Sequence, residues 1–232
     1  MAERRVMKLR RLAAIIIVLT LAGGASAAQT SPAPADLLAA IAASQSAKID
    51  YAFDVDFTTA KTAIRVHFDP KATPRIHTLE PSASQLNSDQ RSVLNALQSQ
   101  IEGIGWCAGE HLGQIADVHL ERQDRDTVSY SFQPTRQSTP GQGAQYANRL
   151  RGELTLTKTN PDVTAIHIYT PAAFDPLPLV HIANLDIAVT CAVAPNGRRY
   201  GARSDSRSSG SAFGLAFDEH NVENVANLSA PQ

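Results

Sequence analysis

The sequence predicts a mainly β fold of the α+β class: an antiparallel curved sheet or half-barrel of about ten strands with two or three helices. Apolar and polar residues alternate with period two over much of the chain, which is typical of half-buried strands. Turn-forming residues separate these runs at short intervals. Helical spacing is confined to a few segments, so a meander of strands is the expected architecture.

The first 27 residues have the three parts of a cleavable secretory signal. Five basic residues precede Leu12, an uncharged apolar run continues to Ala22, and Ala25 and Ala27 occupy the positions that a signal peptidase reads. We expect cleavage after Ala27 or Ala28; an uncleaved anchor is the alternative. The apolar run is shorter than the about 20 residues of a spanning helix. The sequence therefore predicts a periplasmic or secreted protein with no stable membrane span after cleavage.

Residues 28–35 are predicted to form a flexible leader, and residues 36–229 a single β-rich domain. Without the five basic residues and one acidic residue of the signal, the 21 basic and 22 acidic residues become 16 and 21, a net charge of −5. The phosphates of nucleic acids bind clustered Lys and Arg. We therefore expect no nucleic-acid partner.

The first half of the predicted domain contains two helices and one hairpin. Residues 34–44 place leucines and an isoleucine on one helical face, and strict alternation predicts strands at 49–57 and 64–69. A second helix is predicted at 87–101, capped by Asn87 with Gln90 three residues later.

The second half is almost entirely strand. Apolar positions change from even to odd at Ala183-Asn184, which predicts a β-bulge. The predicted strands are 115–121, 128–133, 150–156, 166–168, 180–193, 199–206, 213–217 and 222–228.

Two cysteines, Cys107 and Cys191, remain after signal cleavage. In an oxidising compartment such a pair is most simply a disulfide. A redox pair and two buried thiols are the alternatives, although a thiol oxidoreductase normally has the C-x-x-C spacing that is missing here. A catalytic pair of Cys107 with His111 is a further alternative.

No catalytic residue, metal site or cofactor is predicted, and we expect a protein that is not an enzyme. The histidines lack the spacing of metal ligands. Asp50, Asp54 and Asp56 share one strand face but lack the glycine and terminal glutamate of a calcium loop. Residues 210–214 have glycines at nucleophile-elbow spacing, but their central residue is alanine.

The order of elements resembles the LolA/LolB-like half-barrel superfamily: a signal peptide, a leading helix, long hairpins, a mid-chain helix and a run of antiparallel strands. The stretch LRGELTLTKTNPDVTAIHIYTPAAFDPLPLVHIANL, from Leu150 to Leu185, is similar to a strand–turn–strand–proline-loop–strand region of uncharacterised periplasmic proteins thought to share this fold. Members of the superfamily are periplasmic carriers that hold acyl chains between a curved sheet and helices. The resemblance implies a lipid or a lipoprotein acyl chain as ligand.

These features lead to three hypotheses of function. The first is a non-catalytic envelope carrier or chaperone for a lipidic ligand, held in a cavity with apolar walls. In a closed sandwich the same residues would fill a core, and the protein would be a structural or adaptor protein with an envelope partner. The third hypothesis is an uncharacterised hydrolase. The predicted cavity residues are Phe53, Phe57, Phe68, Leu120, Tyr130, Leu154, Leu156, Ile166 and Ile168.

Overall fold

The computed structural model describes residues 33–44, 51–107, 115–136 and 141–230. The predicted signal at 1–27, with its cleavage residues Ala25 and Ala27, lies outside the described residues, as do residues 28–32 of the predicted leader. Asp50 and His111 also lie outside them. Within the described residues, no helix combines the length and the hydropathy that a membrane-spanning segment requires.

Two α-helices and two 3-10 helices accompany eleven strands in the described part of the chain. The α-helices are α1, Ala35–Ser44, and α2, Ser88–Gln100; the 3-10 helices are Ala83–Gln85 and Gly141–Arg149. The strands are β1 Ala52–Thr59, β2 Ala63–Phe68, β3 Ile76–Glu80, β4 Ile115–Gln123, β5 Thr127–Pro134, β6 Arg151–Thr157, β7 Val163–Tyr169, β8 Phe174–Leu177, β9 Val180–Val193, β10 Arg199–Ala212 and β11 Leu215–Ser229.

All eleven strands belong to one antiparallel sheet. Its order is β3-β2-β1-β11-β10-β9-β7-β6-β5-β4, and β8 pairs with the end of β9 that β7 leaves free. Among the described strands, the two edge strands β3 and β4 do not pair with each other, so the sheet is open. The predicted mainly β fold class is confirmed, in its open-sheet form rather than as a closed barrel.

Two hydrophobic clusters cover one face of the sheet, which we call the inner face. The first contains Leu37 and Ile41 of α1 packed on strands β5, β6 and β7. The second contains Leu97 of α2 packed on β1 and β2. The helices therefore cover the two ends of the sheet and leave its central strands between them.

One partly buried hydrogen bond fixes α1 to the sheet. The hydroxyl of Tyr130 on β5 donates to the Asp36 carboxylate in the first turn of α1, with 2.9 Å between the oxygen atoms. Burial, together with the hydrogen bond to Asp36 and the charge of its carboxylate, raises the pKa of Tyr130 to about 12. The hydroxyl consequently stays protonated and keeps donating at any physiological pH.

The start of α2 follows the capping prediction. The Gln90 amide N–H donates to Asn87 Oδ1 at 2.9 Å, and the Asn87 amide N–H donates to Gln90 Oε1 at 3.0 Å, which completes a capping box. Gln90 Nε2 also donates to the Ala63 carbonyl on β2 at 3.1 Å. The same side chain thus begins the helix and joins it to the sheet.

The last two strands, β10 and β11, are longer than predicted. Strands were predicted at 213–217 and 222–228, whereas the chain forms the single strand β11 from Leu215 to Ser229, with Phe213 in the preceding turn. The polar stretch in the middle of β11 has no apolar alternation, and pairing with β10 on one side and partly with β1 on the other keeps it extended. The bulge at Ala183 is confirmed, because Asn184 pairs with Ser209 whereas Ile182 pairs with Gly210.

Candidate ligand-binding cavity on the inner face

A cavity of about 240 Å³ lies on the inner face between the two hydrophobic clusters. Its floor is formed by the central strands, and its roof by residues 101–107, the segment that follows α2. Most of its walls are apolar. The lining residues are Phe53, Ile101, Gly103, Ile104, Gly105, Trp106, Cys107, Ile166, Val189, Gly201, Ser204, Glu223 and Val225.

The roof is fixed to the long strands by one covalent bond and two backbone hydrogen bonds. Cys107 and Cys191 form the predicted disulfide, with Cα atoms 6.0 Å apart. The Cys107 amide donates to the Arg199 carbonyl at 3.0 Å, and the Gly201 amide donates to the Gly105 carbonyl at 3.1 Å. These three bonds therefore hold residues 101–107 above the centre of the sheet.

Trp106 carries the largest side chain of the roof. Its ring packs edge-on against Tyr51, 6.5 Å between ring centroids, and the Arg198 guanidinium lies 4.0 Å above it. The indole Nε1 is buried and has no hydrogen-bond partner among the described residues. A buried donor without a partner costs free energy, and Trp106 is the one described lining residue of the cavity that carries such a donor.

The floor of the cavity is polar at one place only. Cross-strand neighbours point to the same side of a sheet, and a single row of such neighbours crosses the inner face. In this row Glu223 and Ser204 separate the apolar residues of the two ends. The row runs Ile64, Phe57, Glu223, Ser204, Val189, Ile166, Leu154 and Tyr130.

Glu223 is the one carboxylate of the cavity lining. It is half-buried, and its side chain makes no hydrogen bond or ion pair with another described residue. Desolvation raises the pKa of the Glu223 carboxyl above its ordinary value of 4.5. The group is therefore poised to be neutralised by a proton or by a donor on a ligand.

An apolar stripe leads away from the cavity along β9. We call Ile182, Leu185, Ile187 and Val189 the β9 stripe; all four are half-buried on the inner face. Val189 packs against the first cluster, whereas the other three belong to neither cluster of the described residues. The stripe lies beside inner-face serines of β10, so it forms a narrow apolar track with a polar border.

The nine predicted cavity residues fall into three environments. Phe53 and Ile166 line the cavity. Leu120 lies on edge strand β4 and is 59% exposed, outside the cavity. The others are buried in the clusters or half-buried beside them: Phe57, Phe68, Tyr130, Leu154, Leu156 and Ile168.

The sequence reasoning missed Glu223, Ser204 and Trp106. Glu223 follows Val222 and precedes Asn224-Val225, a stretch in which the two valines face opposite sides of the sheet. No alternation marks Glu223 as an inner-face residue. The predicted strand at 199–206 also ended before the serine-rich half of β10, so no neighbouring strand was predicted for that half.

The aspartates and histidines lie mostly on the other, outer face. Burial opposes ionisation of Asp54, but hydrogen bonds from Asn227, His67 and Arg65 outweigh it and lower its pKa. Asp56 lies 3.3 Å from the Nε atom of Arg65. These carboxylates have cationic partners, and within the described residues no group of three or more His, Cys, Asp or Glu could hold a metal ion.

Described histidines also contact aspartates rather than nucleophiles. His67, His119, His167, His181 and His220 each have a ring nitrogen within 2.9 Å of an aspartate oxygen. None of these described rings is hydrogen-bonded to a serine.

Comparison with protein-family models, with curated proteins and with solved structures finds no match to this chain.

Proposed function

We propose that the protein is a non-catalytic carrier for a lipidic ligand, working outside the cytoplasm. The observation that carries this proposal is the continuity of the cavity with the β9 stripe. An apolar chain that enters the cavity can continue along the stripe, because the inner-face positions from Val189 to Ile182 offer apolar contact without a break.

The polar groups of the cavity suit the head of such a ligand. Small-molecule sites combine apolar walls with a few placed polar groups that fix orientation. Here the carboxyl group of Glu223 can accept from a hydroxyl, amide or amine, and the Trp106 indole can donate to an oxygen. A molecule with a long apolar chain and a small polar head therefore fits the site better than a compact polar metabolite.

The predicted export supports the same proposal. A disulfide in the structure fits an oxidising compartment, where lipidic molecules need carriers to cross an aqueous space. The hydrolase hypothesis has weaker support, because the five described histidine rings that contact an aspartate are not also hydrogen-bonded to a serine, as a catalytic triad would require.

The proposal is tested with delipidated protein and a dansyl-labelled fatty acid, whose fluorescence rises in an apolar site. Ile187→Asp places a charge in the middle of the β9 stripe and should weaken binding about tenfold or more, because an apolar chain cannot solvate a carboxylate. Thr190→Asp is the matched control. Thr190 is exposed on the same strand and pairs on the outer face with Arg203.

Two results would count against the proposal. The proposed carrier function would be wrong if the probe fluorescence did not rise when the unmodified protein was titrated at micromolar probe. Equal affinity in Ile187→Asp and in the unmodified protein would move the binding site away from the inner face.

A further inference from the structure

The free end of the long strands carries a cluster of exposed apolar side chains, which we call the apolar tip. It consists of Leu177 and Leu179 in the β8–β9 hairpin and Phe213 and Leu215 in the β10–β11 hairpin, exposed by 56%, 72%, 76% and 75%. The two turns are joined, since the Phe213 amide donates to the Leu179 carbonyl at 2.8 Å. The four side chains thus form one feature from two separate segments.

The backbone at the tip is unfavourable for the residues that occupy it. Leu179 has φ of 66° and Phe213 has φ of 52°, in the left-handed region that Gly and Asn adopt more readily. In the two-residue turn Phe213-Gly214 both φ angles are positive, as in a type I′ hairpin turn, whose first position favours Asn. Both turns therefore hold a large apolar residue where folding alone would favour a small or polar one.

Charged residues are excluded from the tip over a defined depth. Residues 176–180 and 208–217 contain no ionisable side chain. The residues that flank these two stretches are Asp175 and His181, whose side chains lie 2.7 Å apart, and Arg207 and Asp218. At about 3.3 Å per residue, the uncharged zone is roughly 7–10 Å deep. That depth falls within the about 5–10 Å by which the apolar face of an interfacial amphipathic helix enters a bilayer.

We propose that the apolar tip docks the protein on a lipid bilayer by inserting these four side chains into the interface. Four such side chains bury on the order of 400 Å², below the about 800 Å² per partner of a standard protein interface. A bilayer interface accepts a protruding apolar tip without a complementary surface. The docking is independent of any ligand on the inner face and goes beyond the proposed carrier function.

The charges around the tip determine whether it prefers neutral or anionic lipids. Asp175, Asp218 and Glu219 surround it, with Arg207 the nearest arginine along β10. A rim of this composition does not attract anionic lipids, whose recognition needs clustered Lys and Arg. We therefore expect binding to neutral phosphatidylcholine vesicles that is unchanged by high salt.

The test is co-sedimentation of the purified protein with phosphatidylcholine vesicles. The double variant Leu179→Asn/Phe213→Asn should lower the partition coefficient about tenfold or more, because each change removes a large apolar group. It should also raise the midpoint of urea unfolding, because Asn tolerates positive φ. Loss of binding together with a gain in stability is a result that damage to the fold cannot produce.

The matched control is Leu120→Asn/Val193→Asn, which removes two apolar side chains that are 59% and 57% exposed away from the tip. It should sediment with vesicles like the unmodified protein. The proposal is overturned if the unmodified protein stays in the supernatant or if the tip variant binds like it. It is also overturned if the tip variant converts a dimer to a monomer without changing vesicle binding. Because the fatty-acid titration is a separate measurement, failure of docking and failure of the carrier function are distinguishable.

Discussion

Two regions of the inner face share one sequence pattern and differ in what covers them. In the helix-covered region, inner-face residues such as Val66 and Leu156 are fully buried. In the arm, which we define as residues 180–187, 206–212 and 215–221, the inner-face residues Leu185 and Ile187 are half-buried. The period-two alternation determines which face of the sheet a side chain occupies. Whether that face becomes a buried core depends on a segment, distant in sequence, that packs over it. The arm has the alternation of a strand, but none of its inner-face residues belongs to either hydrophobic cluster of the described residues.

The largest effect is expected where a covalent bond holds the cover in place. Cys107→Ser/Cys191→Ser opens a loop with a sequence separation of 84, and the chain-entropy model gives a loss of about 4–5 kcal/mol as an upper figure. Urea unfolding with and without reductant measures it. Reductant should lower the midpoint of the unmodified protein and leave that of the double variant unchanged. Equal midpoints for the double variant and the oxidised protein would show that the disulfide contributes nothing.

A second prediction compares matched leucines in the two regions. Leu156→Ala removes a fully buried side chain from the first cluster and should cost about 2–5 kcal/mol, from lost burial and the cavity left behind. Leu185→Ala removes a half-buried side chain from the β9 stripe and should cost about 1 kcal/mol or less. The free energies of unfolding of both variants, measured in urea, test this difference. Equal losses would mean that the arm is as well packed as the covered region.

A third prediction compares two glycines. A Cβ at Gly152 would lie 2.2 Å from the ring of Phe132 in the covered region, so Gly152→Ala should cost about 1–3 kcal/mol by overpacking. At Gly201 the nearest atom is a Val189 methyl at 3.5 Å, an ordinary contact. Gly201→Ala should therefore change the unfolding free energy by less than about 0.5 kcal/mol. Thermal unfolding measures both; a tolerant Gly152 would show that the Phe132 ring can move aside.

Local patterns predicted the parts of the fold that depend on neighbours in sequence. The hairpin of β1 and β2, the Asn87–Gln90 capping box and the bulge at Ala183 all follow from residues a few positions apart. The strand β8 was missed because its proline favours a break in the ladder. Phe213 was misplaced because a turn residue there is expected to be Asn or Gly.

The cavity could not be predicted in the same way, because its parts meet only through long-range pairing. The roof reaches β9 through Cys107 and Cys191, and nothing in the sequence around Trp106 marks it as the cover of a site. Glu223 becomes an inner-face residue only through its register with Phe57 and Ser204. Of the predicted apolar wall residues, Phe53 and Ile166 line the cavity, but the polar groups that would orient a ligand came from the structure alone.

The smallest effect should come from Glu223, where the covered region meets the arm. The folded-state pKa of this carboxyl lies above its ordinary value, so the folded protein binds the proton more tightly than the unfolded chain does. Stability from this group therefore increases as pH falls from neutral towards 4.5, and decreases as pH rises through the folded-state pKa. Glu223→Gln should accordingly stabilise the protein at neutral pH by about 1 kcal/mol or less. For a chain of this length, each kcal/mol corresponds to a change of about 2–4 °C in Tm.

Thermal unfolding at pH 7.5 and pH 5 separates this cause from a general effect of removing a charge. The gain from Glu223→Gln should shrink at the lower pH, because burial raises the pKa of the Glu223 carboxyl and the folded protein binds the proton more readily as pH falls. Glu219→Gln is the matched control, since Glu219 is exposed on the same strand. If both variants change Tm equally at both pH values, the carboxylate of Glu223 is as well solvated as that of Glu219 in the arm. If only Glu223→Gln shows the pH-dependent gain, the retained carboxylate costs stability, which is expected of a group kept for binding rather than for folding.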